Sequence, residues 1–324
     1  MPRYASASGW ALRSLWNVFD QSNGIAHPHS FAIGGALEIC RLGFGSARLA
    51  GPGVWGAPED RAGAIRLLRM LPALGVNFID TADSYGPDIV EDLIREALYP
   101  YRDLVIATKA GLRRSGPDQW EADGDPEYLR AQVHNSLSRL RVDCIDLWQL
   151  HRIDPKIDRA VQFSAISKMV DEGLIRHVGL SEVGIAEIEA ALPYFPVATV
   201  QNRYNLLDRM HEPLLRYCEA GNIGFVPWYP IAAGALDRET TVLNVVAKKY
   251  GVEKSRVAIA WILAKSPVLL PIPGTSNATH LKQNVAARSI VLSEDDVAML
   301  DTISSSMNRV SADMHSGNVG EPIR

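Results

Sequence analysis

The sequence predicts a (β/α)8 barrel, and three observations carry that prediction. Eight short apolar runs of the buried-strand type recur along the chain. Segments with apolar residues at i, i+3, i+4 and i+7 separate most of them, which is helical spacing. The 324 residues also accommodate eight strand–helix units of roughly 30 residues each. Uninterrupted apolar strands imply a parallel sheet covered on both faces. A doubly wound open sheet is the alternative arrangement of the same pattern.

Residues 1–30 form an N-terminal extension with no apolar run long enough for a signal peptide, ahead of a barrel expected over 31–303. The FAIGG turn around Ile33 predicts a small hairpin plugging the bottom of the barrel. RLGFGS (41–46) is the first barrel strand, followed by the loop GPGVWG and the helical EDRAGAIRLLRMLPALG. VNFIDTA (76–82) and DLVIATK (103–109) are the second and third strands, and PEYLRAQVHNSLSRLRV is the helix after them. The remaining strands are CIDLWQLH (144–151), IRHVGLS (175–181), ATVQNRY (198–204), IGFVPWY (223–229) and VLLPIPG (268–274). Two helical segments, TTVLNVVAKKYG and SRVAIAWILAKS, fall between strands seven and eight, outside the regular count. The tail at 304–324 is polar and loses its helical period, leaving disorder and a partner contact both open.

Composition narrows the function classes. A net charge of −4 with no long Lys/Arg cluster lacks the footprint of a nucleic-acid binder. Cys40, Cys144 and Cys218 are far apart and form no CxxC, so neither a disulfide framework nor a thiolate metal site is expected. With no run of about eighteen apolar residues, the expectation is a soluble cytoplasmic protein without membrane contact. A homo-oligomer is compatible with all of this.

The strand ends carry the chemistry. In such barrels the site assembles at the C-terminal ends of the strands, and here those ends bear Asp80, Lys109, His151, Ser181, Gln201 and Trp228. Singly, each has a bland explanation: a strand-closing Asp or Ser caps a helix, a lone His sits satisfied in a core, a lone Lys is solvated. Jointly, with Tyr85 five residues after Asp80, they suit proton transfer. A phenol has a pKa near about 10, so a lysine beside it is expected to lower that value, and an aspartate facing the lysine to fix it in place. A neutral His151 can orient a substrate carbonyl. The set has no nucleophile and no metal cage. It suits protonation of an oxygen becoming an alkoxide, as when hydride adds to a carbonyl from a cofactor.

Asp80-x4-Tyr85 in GVNFIDTADSYG, Lys109 closing VIATK and His151 in DLWQLH resemble the Asp, Tyr, Lys and His tetrad of the aldo-keto reductases. The resemblance runs from about Arg41 to Ile303 and takes in GLSE, VQNRYN and PIPGTS. RLGFGSARLAGPGVWG and HRID are most similar to the bacterial branch related to pyridoxal reductases and general aldehyde reductases. The resemblance implies an NADPH-dependent reductase of aldehydes or ketones with Tyr85 as general acid. It implies that Trp228 stacks on the nicotinamide and that Ser181, Glu182 and Gln201 hold its carboxamide. Ser46 and Ala47 would contact the cofactor, and Tyr229, Pro230, Ile231 and Gly234 would follow its pyrophosphate. Gly274, Thr275, Ser276, His280, Gln283 and Asn284 would receive its adenosine end, where a helix N-terminus accepts phosphate charge.

Two departures stand out. Glu182 replaces an asparagine and cannot donate to the carboxamide oxygen unless protonated. His280 and Gly274 stand where many members carry Arg and Lys, so NADPH is expected with NADH as a weaker alternative. Trp55 and Arg152 are candidate substrate contacts, the first walling a pocket for aromatic or polycyclic carbonyl compounds, the second meeting an anionic group. Two other functions remain open: a cofactor-sensing regulatory protein of the same fold with little turnover, and a metal-dependent hydrolase using the HPH at His27–His29. The latter motif precedes the first strand instead of closing it.

Overall fold

The computed structural model of the protein describes residues 27–232 and 241–305. The chain enters through an antiparallel hairpin, β1 (Ser30–Ile33) and β2 (Leu37–Cys40). Gly34 makes its turn at φ 59°, and a side chain there would strike the His177 ring. The hairpin lies across the N-terminal ends of the barrel strands, as expected. Cys40 N donates to Asn77 Oδ1 at 2.6 Å, just ahead of the second barrel strand.

The barrel strands begin with β3 (Phe44–Gly45), β4 (Phe78–Asp80) and β5 (Val105–Ala110). A second antiparallel hairpin, β6 (Leu112–Gly116) and β7 (Gln119–Ala122), is inserted after β5; the apolar periodicity gave no notice of it. Then come β8 (Ile145–Leu150), β9 (Ile175–Ser181), β10 (Val197–Gln201) and β11 (Gly224–Phe225). Seven strands form one sheet in the order β3-β4-β5-β8-β9-β10-β11, all paired in parallel.

The eighth apolar run closes the cylinder without becoming a regular strand. Phe225 N donates to Val268 O and Leu270 N to Phe225 O, both at 2.8 Å, while on the far side Gly43 N donates to Pro271 O at 2.9 Å. Pro271 and Pro273 have no N–H to give, so the segment accepts at one edge but cannot sustain a ladder. Close approach at this seam demands glycine: a Cβ on Gly274 would lie 2.6 Å from Gly45 O.

Helices α1 (Arg61–Met70), α2 (Ile89–Leu98), α3 (Pro126–Leu140), α4 (Arg159–Asp171), α5 (Ile185–Ala191) and α6 (Glu212–Gly221) connect successive barrel strands. Between β11 and the closing segment lie α7 (Thr241–Tyr250) and α8 (Lys254–Lys265), the two supernumerary helices expected there. α9 (Ala278–Ala286) and α10 (Glu294–Ser305) follow. The polar residue ahead of several helices explains where they start. Asp60, Asp125 and Asp158 accept from the N–H groups of Gly63, Tyr128 and Ala160 at 2.7, 3.0 and 2.8 Å, and Asn277 caps α9 through Thr279 and His280. Each such cap contributes about 1 kcal/mol.

A buried cation binds the bottom together. Arg41, 3% exposed, donates to the carbonyls of Pro28, Leu263, Ser266 and Leu269. Its hydrogen-bond partners among the described residues are all carbonyls, and burial draws its pKa down to about 10. His27 reaches Ala264 O with Nε2 at 3.0 Å. Among the described residues no group of three His, Cys, Asp or Glu could hold a metal ion, and no helix is long and apolar enough to cross a membrane.

Candidate active site

The segment from Phe78 to Gly86 opens as a core strand and then breaks, because its last residues must face one another at the mouth. Asp80 ends β4, and the chain then hangs from the neighbouring strand: Thr81 N donates to Ala107 O at 2.8 Å and Asp83 N to Lys109 O at 3.1 Å. A tight turn, Tyr85 N to Ala82 O at 3.2 Å, brings the phenol back over the strand ends.

There Lys109, wholly buried at the end of β5, donates through Nζ to Asp80 Oδ2 at 2.7 Å, to Thr81 O at 2.7 Å and towards Tyr85 OH at 3.4 Å. The other Asp80 oxygen accepts from Gln201 Nε2 at 2.9 Å and Gln149 Nε2 at 3.3 Å. The carboxylate therefore accepts three hydrogen bonds, from side chains on β5, β8 and β10. Burial alone would push the Lys109 ammonium towards neutrality, but the Asp80 carboxylate, with Tyr85, more than offsets this and holds its pKa above the usual lysine value.

The phenol behaves differently from the sequence expectation. Burial raises the pKa of Tyr85 above that of a free phenol; Lys109 opposes this without reversing it, and the Asp80 carboxylate adds to the rise. Tyr85 is thus held protonated at neutral pH, while the phenolate left after proton donation has an ammonium 3.4 Å away. His151, 5% exposed, is neutral: burial, and then the cations Lys109, Arg152 and Arg114, push its pKa well below the ordinary histidine range. Its ring lies edge-on to Tyr85 at 6.0 Å and to Trp120 at 6.2 Å between centroids, and Ser84 Oγ stands 3.3 Å from its Nδ1.

The second half of the mouth holds the other strand ends. Arg152 donates to His151 O at 2.6 Å and to Ser181 Oγ at 3.1 Å, tying the ends of β8 and β9. Glu182, in the left-handed region at φ 54°, accepts from Arg203 N at 3.0 Å and from Trp228 Nε1 through the same oxygen. The residue that stands in place of asparagine therefore grips the indole. Trp228 and Tyr229 meet edge-on at 5.9 Å, Asn205 Nδ2 donates to Tyr229 O at 3.1 Å, Pro230 is buried and Ile231 half-buried. Gly234 lies outside the described residues.

At the opposite rim, Ser46 Oγ donates to Asp80 O at 2.8 Å, and Ala47 starts the short helical turn that follows. Gly274 sits against Gly45, with the Arg48 side chain beside it. Thr275 Oγ1 accepts from Asn277 N at 3.0 Å, Ser276 and His280 are exposed at the N-terminal end of α9, and Gln283 is bonded to Glu253 at 2.8 Å. Asn284 is buried with its Nδ2 unpartnered among the described residues.

Trp120 was not foreseen. It comes from the β6–β7 hairpin and packs edge-on to Tyr85 at 6.5 Å as well as to His151. Arg114 of the same hairpin lies 3.5 Å over the Trp120 ring and 5.7 Å from that of Trp55. Its donors reach the carbonyls of Gly53, Val54, Ser84, Gly116 and Gln119. Trp55 lies against the same guanidinium, and its backbone bridges to Gly86, directly after Tyr85. A Pro-Asp turn flanked by SG and Q in LRRSGPDQWEA was the available signal for the hairpin. Gln149 was legible too, since it shares a strand face with His151 two residues on.

Comparison with known proteins gives a consistent picture. Residues 41–305 match the model of the Aldo/keto reductase family. An uncharacterized oxidoreductase of Schizosaccharomyces pombe is 53% identical over 82% of this chain and 87% of its own length. Pyridoxine 4-dehydrogenase of Escherichia coli is 38% identical over 83% of this chain and 96% of its own. Among solved structures, an aldo/keto reductase from Klebsiella pneumoniae in complex with NADP and acetate superposes with a TM-score of 0.71 at 25% identity, covering 85% of this chain and 95% of that one.

Proposed function

The chain belongs to the aldo/keto reductase family and is an oxidoreductase, and from that premise we propose that it reduces aromatic aldehydes or ketones with NADPH, Tyr85 supplying the proton. The observation that carries this is the buried Asp80–Lys109–Tyr85 relay beside a neutral His151. The Klebsiella relative binds NADP, and the Escherichia coli relative is named for a pyridine alcohol. The first supports the cofactor and the second an aromatic substrate.

The rims suit the cofactor. α9 begins just beyond the Gly45–Gly274 contact and presents its N-terminal end at this rim, and the unpartnered Asn284 amide is a buried donor in want of an acceptor. Trp228, held by Glu182, offers a flat face. Ser181, Glu182 and Gln201 stand at the carboxamide end of the nicotinamide in this proposal; Ser46 and Ala47 contact the cofactor, Tyr229, Pro230 and Ile231 follow its pyrophosphate, and Thr275, Ser276, His280 and Gln283 lie near the adenosine. When bound, the reduced nicotinamide supplies hydride to the carbonyl carbon. The protein's own part is to hold the carbonyl oxygen between Tyr85 OH and His151, and to deliver the phenolic proton as charge builds on that oxygen. Lys109 then stabilises the phenolate, and Asp80 keeps Lys109 charged.

Tyr85→Phe tests the assignment. It should lower kcat by about 10²- to 10⁴-fold, the usual contribution of a positioned general acid. NADPH affinity by fluorescence titration should be nearly unchanged, because the phenol acts in the transition state. Substantial remaining turnover would assign the proton to another group. Tight NADPH binding by the native protein without reduction of any aldehyde would point instead to cofactor sensing.

A further inference from the structure

We propose that Ser84 is a positioning residue for catalysis: its hydroxyl donates to Nδ1 of His151 and so keeps the imidazole proton on Nε2. The inference rests on the role given above to His151 as donor to the carbonyl oxygen.

A neutral imidazole carries one N–H, and its location decides what the ring can do. With the proton on Nδ1, the other nitrogen is an acceptor and repels a carbonyl oxygen. With the proton on Nε2, that nitrogen can donate. Both groups here are shut away from water, Ser84 2% and His151 5% exposed, with Oγ and Nδ1 at 3.3 Å. Among the described residues the Ser84 hydroxyl has no other hydrogen-bond partner. If Nδ1 carried the proton, the hydroxyl would accept it and leave its own O–H buried and unpaired. If Nδ1 is bare, the hydroxyl donates and both groups are satisfied.

The pair cannot easily rearrange. Ser84 O is clamped by Arg114 at 2.9 Å, and His151 N donates to Ala110 O at 2.8 Å. Tyr85 and Trp120 flank the imidazole edge-on. Because Ser84 immediately precedes Tyr85, one turn of chain supplies the acid and sets the tautomer of the second donor.

Nitrogen-15 NMR of the full-length protein labelled at histidine, with the His151 signal identified by its loss in His151→Gln, reads the tautomer without turnover. The native protein and Ser84→Thr should show a single form protonated at Nε2, and Ser84→Ala a mixture. For an aromatic aldehyde, kcat/KM should fall on the order of tenfold in Ser84→Ala and recover in Ser84→Thr, with the dissociation constant for NADPH unmoved in both. A native ring protonated at Nδ1, or an unchanged tautomer in Ser84→Ala, overturns the proposal. So does a tautomer shift that leaves kcat/KM intact. If the native protein reduces no carbonyl compound, the assigned role of His151 fails, while the NMR still decides what Ser84 does to the ring.

Discussion

At the scale of single residues, the tetrad works through unequal environments imposed on ordinary side chains. Asp80 and Lys109 form a buried ion pair, 2% and 0% exposed at the side chain, and such a pair is costly to break because the survivor keeps an uncompensated charge. Asp80→Ala should therefore destabilise the fold by about 3–5 kcal/mol, seen as a lower urea midpoint, in addition to losing activity. Lys109→Met removes the group that opposes burial at Tyr85, so the phenol should titrate at still higher pH and give up its proton less readily. In the native protein the raised Tyr85 pKa keeps the acid form intact, so kcat/KM for reduction should stay level from pH 6 to pH 9 and fall only above the ordinary tyrosine range. A fall centred near neutrality would mean that another group is the acid. These four residues were legible in the sequence because strand ends converge in a barrel and the residue types are chemically unusual there. The sign of the Tyr85 shift was not, since it depends on burial and on the opposed effects of Lys109 and Asp80.

At the scale of elements, the β6–β7 hairpin brings the side of the pocket nearest the acid. Trp120 packs edge-on to both Tyr85 and His151, whereas the Trp55 ring packs against Arg114. Trp120→Ala should raise KM for an aromatic aldehyde by roughly tenfold, as expected for loss of an aromatic contact and its buried area. It should do so more than Trp55→Ala, and a small aldehyde such as methylglyoxal should be little affected by either. Equal effects of the two tryptophans on both substrates would remove the hairpin from the pocket. The hairpin escaped notice because its strands are half exposed and charged, LRRSG and QWEA, so no apolar run marked them. The regular strands and helices were legible because their periods are clean and their caps fall where Asp or Asn precede the first turn.

A second element-scale contact ties α10 to α7. Asp296 accepts from Lys249, Tyr250 and Ser293, and these bonds outweigh burial to hold its pKa at about 2, below the ordinary aspartate range. A lowered carboxylate pKa stabilises the fold above the unfolded value and is lost as pH falls through the folded one. Asp296 should therefore contribute about 2 kcal/mol above pH 4, disappearing towards pH 2. Asp296→Asn should lower stability at neutral pH and flatten the acid limb of the denaturation curve over that interval.

At the scale of the whole molecule, the barrel was predictable in type but not in how it closes. Eight apolar runs fixed the count; the two prolines in the last run converted a strand into a seam. Opposite ends of the molecule meet there, with Gly43, Phe225 and the segment around Leu270 sharing the closing hydrogen bonds. Beneath the seam Arg41 gathers carbonyls from the entry strap, the end of α8 and the closing segment. The strands that carry the candidate site, β4 to β10, lie instead on a continuous ladder.

The seam sets where the barrel breathes. A strand flanked by ladders exchanges its amide protons with solvent only when many bonds open together, but a segment held by isolated bonds opens alone. In deuterated water the amides of Leu270 and Gly43 should exchange well before those of Leu147 and Val178, by about 2 kcal/mol or more in opening free energy. Gly274, proposed to lie at the adenosine end of the cofactor, adjoins the seam, so added NADPH should slow amide exchange at Leu270 and Gly43.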